Sequence, residues 1–392
     1  MLKDASAKRM EFQVSLRKQD WEQRINQRRL RILKDSSSNN PTIENEHQSS
    51  NQWTETLSTT TASREQILKS LQNYSNALST HPPNRFFELL TRLKWHTDSF
   101  ANSPLRLVYI ECFIESGLVE KLLMFLSGEA RLVPQTFTSS TFILSDLCTG
   151  EDRDLSFLLN AGMIGLMKEC LEEWDRVDED GVVNVLWGLS NYCSEGMSSA
   201  RRYAVFNDPI CESVIKVINA RVQSFTNKSF PRVAAWICSI LIRPYAHDSC
   251  FEEKVEKNEI FRVENFTKLS YLALLSCEMF REFGQIDSLV HDDCLNTIDY
   301  FLEHYCTYYD KSLPSPSADP PSDQITPEAT PEQRLCQQTK IVLRKILQSK
   351  IILVITSKAQ GALFQLKSAK DLDSHIFGKS IRVVQSIITK LH

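Results

Sequence analysis

The feature that most constrains this chain is an internal repeat. Ser116-Gly117-Leu118-Val119 opens an apolar stretch, Ala161-Gly162-Met163-Ile164 does so 45 residues later, and Asn207-Asp208-Pro209-Ile210 does so 46 residues after that. A second column keeps step with the first: Phe142-Ile-Leu-Ser-Asp146, then Trp187-Gly-Leu-Ser-Asn191 at +45, then Trp236-Ile-Cys-Ser-Ile240 at +49. A unit of this length cannot bury its own apolar face, whereas stacked units share one long core. An irregular helical bundle is the alternative, and two columns in register argue against it.

Within each period the apolar residues recur at three and four, as in Leu118, Leu122, Leu123 and Phe125, then Val182, Val183, Leu186 and Leu189. Breaks fall at Ser127-Gly128, Thr149-Gly150, Ala161-Gly162, Asp180-Gly181 and Asp208-Pro209, and no sustained alternation suggests a sheet. The chain is therefore expected to be all-α, and a period near 45 with two or three helices per unit marks an armadillo or HEAT solenoid.

Residue usage narrows the function. Only 11 glycines occur, and neither GxGxxG nor GxxxxGK[ST] is present, which argues against the common nucleotide-binding enzymes. The 11 cysteines form no CxxC pair and sit among apolar neighbours, and the eight histidines form no HExxH. This reads as reduced, buried thiols in an intracellular protein, with no metal, cofactor or catalytic pair expected. No run approaches the ~20 apolar residues that span a bilayer.

Charge divides the chain. Residues 1–35 hold ten basic and five acidic side chains, so an arm of +5 precedes a body of about −9 within a net charge of −4. Such an arm seeks an acidic partner or folds back on its own body. Residues 36–62 are rich in Ser, Thr, Asn and Gln, a flexible tether whose 27 residues span about 30 Å. Residues 63–310 are expected to hold the repeats. Residues 311–332 carry six of the 14 prolines and read as a disordered insertion, and residues 333–392 as a divergent helical cap. Toward the C-terminus, helices are expected at 266–283, 295–305, 339–347 and 381–391, while 350–355 fits helix or strand.

The second column suggests chemistry. Trp187 and Asn191 are four apart, on one helical face a turn from each other. Indoles laddered along a superhelix make slots for the stem of Lys or Arg, and an Asn carboxamide can hold an extended peptide by its backbone. Glu195, with Glu151 and Asp152, would supply acid at the slot ends. A Trp at helical spacing is also a common core residue, so packing competes with the groove reading.

These residues resemble the importin-α family. LWGLSNYCSEG is similar to the third-helix signature of its armadillo repeats, WxLSN followed by an acid, and STFILSDLCTGEDRDLSFLLNAGMIGLMKECL is similar to the repeat before it. The arm resembles the importin-β-binding segment: Lys8-Arg9, then Val14-Ser-Leu16-Arg17-Lys18, then Arg24 and the Arg28-Arg29 cluster. The resemblance covers about residues 7–35 and 60–245. It implies a right-handed armadillo solenoid and a nuclear import adaptor, shared between cytoplasm and nucleus. Such an adaptor binds basic localisation signals in its groove and importin-β through Lys8, Arg9, Val14, Leu16, Arg17, Lys18, Arg24, Arg28 and Arg29.

By the same resemblance, Trp187, Asn191 and Trp236 stand at groove positions, Asn184 where the family has Gln, Glu195 where it has Asp, and Gly150 where a peptide backbone approaches. Phe142 replaces Trp, while Asp146 and Ile240 replace Asn, and no Trp follows Trp236. A reduced groove favouring short basic signals is expected, with the arm as an intramolecular competitor. No membrane and no direct nucleic-acid partner are expected. The alternative is a divergent paralogue or armadillo scaffold that binds importin-β or a fixed partner but not general localisation signals.

Overall fold

The computed structural model describes residues 59–80, 86–101, 103–194, 199–243, 263–284 and 286–301. The arm, residues 36–58 of the tether, the 311–332 insertion and the 333–392 cap lie outside the described residues. Ser63 starts the body with a reciprocal cap: its N–H donates to Gln66 Oε1 at 2.8 Å, and the Gln66 N–H donates to the Ser63 hydroxyl at 3.3 Å.

Helices follow in triplets. The first unit holds α1 (Arg64–Thr80) and α2 (Phe86–Phe100). The second holds α3 (Arg106–Glu115), α4 (Leu118–Ser127) and α5 (Pro134–Leu147), and the third α6 (Asp152–Asn160), α7 (Met163–Glu172) and α8 (Glu179–Ser194). The fourth holds α9 (Ser199–Asn207), α10 (Ile210–Arg221) and α11 (Phe230–Leu241), and a last pair is α12 (Val263–Phe283) and α13 (Ser288–Tyr300). No strand occurs among the described residues.

The first sequence column is the turn between the first and second helices of a unit. Gly117 (φ 72°) and Gly162 (φ 90°) take the left-handed conformation there, which a Cβ disfavours. In the fourth unit Asp208-Pro209 does the same work: the Asp208 carboxylate accepts the Ile210 N–H at 2.8 Å, and Pro209 cannot continue the preceding helix. The break expected at Asp180-Gly181 lies two residues earlier, because α8 starts at Glu179. Gly181 instead lets the first turn of α8 approach the Phe137 ring, which an added Cβ would meet at 2.1 Å. The helix expected from Leu295 begins at Ser288, where the Asp287 side chain accepts the N–H groups of Leu289 and Val290. The polar run His291-Asp292-Asp293 hid that start.

Equivalent helices stack on one another. The second helices α1, α4, α7, α10 and α12 pack each on the next, as do the third helices α2, α5, α8, α11 and α13. This makes an all-α solenoid of armadillo-like three-helix units, its core running between the two rows. Leu118, Leu122, Met163, Leu166, Val214 and Ile218 are buried from the second-helix side, and Ile143, Leu147, Leu186, Leu189 and Ile237 from the third. Ion pairs stitch neighbouring units along the surface: Arg153–Glu111 and Arg201–Asp152, each at 2.8 Å, and Lys268–Glu212 at 3.3 Å. Exposed pairs of this kind add little stability each. The eight described cysteines are single buried thiols, and burial pushes those of Cys170, Cys193 and Cys211 up to about 12.

The first unit closes around a ring cluster. Phe100 stacks on Tyr109 with centroids 4.6 Å apart, and His96 lies 5.5 Å from Tyr109 and 5.8 Å from Tyr74. The Tyr109 hydroxyl sits 2.9 Å from Thr97 Oγ1 and 3.3 Å from His96 Nδ1, while His96 Nε2 has no partner. Burial depresses the His96 imidazole to about 4.

Two outcomes follow. The unfolded chain binds a proton on His96 near pH 6.5 that the folded chain refuses until about 4. Its contribution to stability is therefore full above pH 6.5 and declines as pH falls toward 4, by at most about 3 kcal/mol. Urea unfolding at steps between pH 7 and 4 should show a steeper loss for the wild type than for His96→Gln. Separately, Gly181→Ala should lower stability by about 1–3 kcal/mol through overpacking against Phe137, read as a shifted urea midpoint.

Candidate functional site

The second sequence column lies along the third-helix row, at the C-terminal halves of α5, α8 and α11. Phe142 and Trp187 face each other across α5 and α8, their centroids 5.7 Å apart and rings tilted by 58°. The indoles are buried: Trp187 is 3% exposed and Trp236 1%, and Nε1 of each has no hydrogen-bond partner. Asn191 is 0% exposed. Its amide donates to the Ser145 carbonyl at 2.9 Å, leaving its Oδ1 unpaired. The half-buried Asn184 donates to the Thr138 carbonyl at 3.1 Å and to Thr141 Oγ1 at 3.4 Å. The third helices thus hold one another through the same amides expected to face a ligand.

Close approach of α5 and α8 makes these bonds possible. Gly188 sits where a Cβ would come within 2.9 Å of Met167 Cε and Ser145 Oγ and 3.2 Å of Ser145 Cα. The Ser145 hydroxyl donates to the Asn184 carbonyl across the same seam. Gly150, expected at a peptide approach, has an internal reason to be glycine: a Cβ would lie 2.9 Å from Asp154 Cβ and 3.1 Å from Ile110 Cγ2. Glu195 and the arm residues Lys8, Arg9, Val14, Leu16, Arg17, Lys18, Arg24, Arg28 and Arg29 lie outside the described residues.

Three further residues bear on this row. Arg106, at the start of α3, pairs with Asp146 at 2.7 Å and donates through Nε to Thr149 Oγ1 at 2.9 Å. The acid that replaces Asn in the second unit is therefore neutralised within the chain. Lys94 of α2 places its ammonium 4.8 Å from the Phe142 centroid. Burial lowers the Lys94 ammonium's proton affinity, and Asp98 and Asp180 oppose that shift. Burial and the nearby Asp146 raise the Asp98 carboxyl. Finally, Trp95 of α2 is 64% exposed, in contrast to the buried indoles further along the row. It lies 47 residues before Phe142, so extending the second column one unit backward would have found it.

The acids Glu151 and Asp152 belong to other structures. Asp152 faces Arg201 along the first helices, and Glu151 forms a capping box with Asp154 at the start of α6. No group of three or more His, Cys, Asp or Glu among the described residues is arranged to hold a metal, and none of the described helices is long and apolar enough to cross a membrane.

No protein-family model matches the sequence, and no curated protein matches it either. Among solved structures, the chain is similar to a designed armadillo repeat protein in complex with the peptide (KR)4, at 14% identity and a TM-score of 0.43 over 61% of this chain and 87% of that one. It is also similar to two engineered proteins, at 15% and 14% identity and TM-scores of 0.39 and 0.38. Each match covers 59% of this chain, with 97% and 95% of those chains. The stacked triplets are a property of this chain's own helix order and packing, independent of these distant likenesses.

The Arg106–Asp146 pair yields a testable outcome. Removing one member of a largely buried pair leaves an uncompensated charge, so Arg106→Met should cost about 3 kcal/mol. The double variant with Asp146→Asn should recover most of that loss. Both are read from urea unfolding curves of the full chain.

Proposed function

We propose that this solenoid is a peptide-binding adaptor whose third-helix row receives an extended basic segment, and that it serves nuclear import by joining such cargo to importin-β through its N-terminal arm. The observation that carries the reading is the line of unpaired polar atoms along the row: Trp187 Nε1 and Asn191 Oδ1 on α8, and Trp236 Nε1 on α11. A buried polar atom without a partner costs about 1–3 kcal/mol, so a ligand that pairs it gains that much. A peptide backbone laid along the row offers carbonyls to the indoles and an N–H to the Asn191 oxygen once these side chains turn outward. Phe142 and the indoles would flank the ligand's lysine stems, with Asn184, Gly150 and Glu195 at its edges.

The basic arm supports the importin-β part, since ten basic residues precede a net acidic body. Residence in both cytoplasm and nucleus belongs to the same proposal. A second reading is favoured by the burial of Trp187 and Trp236 and by the internal pairing of Asp146. In it the chain keeps the importin-β arm but serves one fixed partner, as a divergent paralogue or scaffold.

Fluorescence anisotropy of a lysine-rich localisation peptide with the full chain tests the groove. Micromolar or tighter binding that is lost in the near-isosteric Asn191→Leu variant, with helix content unchanged by circular dichroism, is the expected outcome. No binding by either protein, alongside importin-β capture abolished by Arg28→Ala/Arg29→Ala, would leave the fixed-partner reading instead.

A further inference from the structure

The third-helix row carries cations of its own where a basic ligand would place them. The Lys94 ammonium stands 4.8 Å from the Phe142 centroid, the distance at which a ligand lysine would make a cation–π contact. Phe142 in turn lies 5.7 Å from Trp187, so Lys94, Phe142 and Trp187 form one series from α2 to α8. One turn further along α5, Arg106 holds Asp146 at 2.7 Å. Asp98 and Asp180 complete the set, and both act on Lys94 electrostatically. Two chain cations thus meet the ring and the acid that the second unit would otherwise offer to a ligand.

We infer that Lys94 is a specificity-determining residue that fills the second-unit subsite from within, so the row reads a basic peptide only from the third unit onward. The inference rests on the peptide-binding reading above and deepens it. A ligand lysine directed at Phe142 must displace a lysine already there, and it meets like charge in Lys94 and Arg106. Short basic segments seated on Trp187, Asn191 and Trp236 avoid that cost, whereas longer ones gain nothing from their additional residues. Arg106 is the poorer point of attack because its removal strands a buried acid. Lys94 is half-buried on the row's surface, and its loss frees the Phe142 ring while Arg106 stays neutralised by Asp146.

The test is binding of fluorescein-labelled short and long oligolysine peptides to the full chain and to Lys94→Ala and Lys94→Gln, with Lys216→Gln on α10 as a charge control. The wild type is expected to bind the two lengths alike. Lys94→Ala should bind the long peptide about tenfold more tightly, the scale of one desolvated cation–π contact, with the short peptide unchanged. Lys94→Gln should do the same, which keeps the answer available where the alanine variant folds poorly. Equal gains in Lys216→Gln would reduce the effect to net charge and overturn the inference. An unchanged long-peptide affinity in both Lys94 variants, with short-peptide binding intact, would overturn it while leaving the peptide-binding reading standing. Failure of every protein to bind either peptide would remove both.

Discussion

The close seam between α5 and α8 is the contact from which the rest of the row takes its geometry. Gly188 lets the two helices approach until Ser145 reaches the Asn184 carbonyl and the Asn191 amide reaches the Ser145 carbonyl. These bonds fix the register of one third helix against the next, which apolar contact alone would leave free to slide. Register in turn decides which side chains share a level across the seam: Phe142 with Trp187, and Ser145 with Asn184 and Asn191. Moving this seam by a turn would separate Phe142 from Trp187 and break both the amide-to-carbonyl and the hydroxyl-to-carbonyl bond across it.

A solenoid distributes stability between neighbours, so each unit depends on the one stacked against it. Among the described residues no helix stacks on the outer side of the first unit, and rings gather there instead: Tyr74, His96, Phe100, Tyr109 and Phe113 pack where α1, α2 and α3 meet. The central third helices are supported on both sides, and this explains why α8 is buried from Val185 through Ser194. The same double support is why Trp187 and Asn191 serve as packing groups while retaining unpaired polar atoms. These are the atoms that the proposed peptide would engage, and the internal cations Lys94 and Arg106 lie beside them at Phe142 and Asp146.

Much of the fold was legible in the sequence, because each repeated element has a local physical cause. Gly117 and Gly162 recur because the chain reverses through a left-handed residue, and the aromatic of the second column recurs because Phe142, Trp187 and Trp236 are each buried in a third helix. What could not be read was pairing between helices far apart in the sequence. Nothing near Asp146 in the sequence points to Arg106, 40 positions away, nor near Phe142 to Lys94. Exposure was equally hidden: Trp187, Trp236 and Trp95 are the same residue type on equivalent helices, yet Trp95 is exposed and the other two are buried. Gly150 has a local explanation in Asp154 and a distant one in Ile110, and only the first was within reach of spacing arguments.

The most direct measurement on the third-helix row is amide hydrogen exchange of the full chain with and without a saturating lysine-rich peptide. Added protection concentrated in α8 and α11, with the second helices α7 and α10 unchanged, is the predicted result. Protection on the second-helix side, or no change anywhere in the row, would contradict the assignment of Trp187, Asn191 and Trp236 to ligand binding.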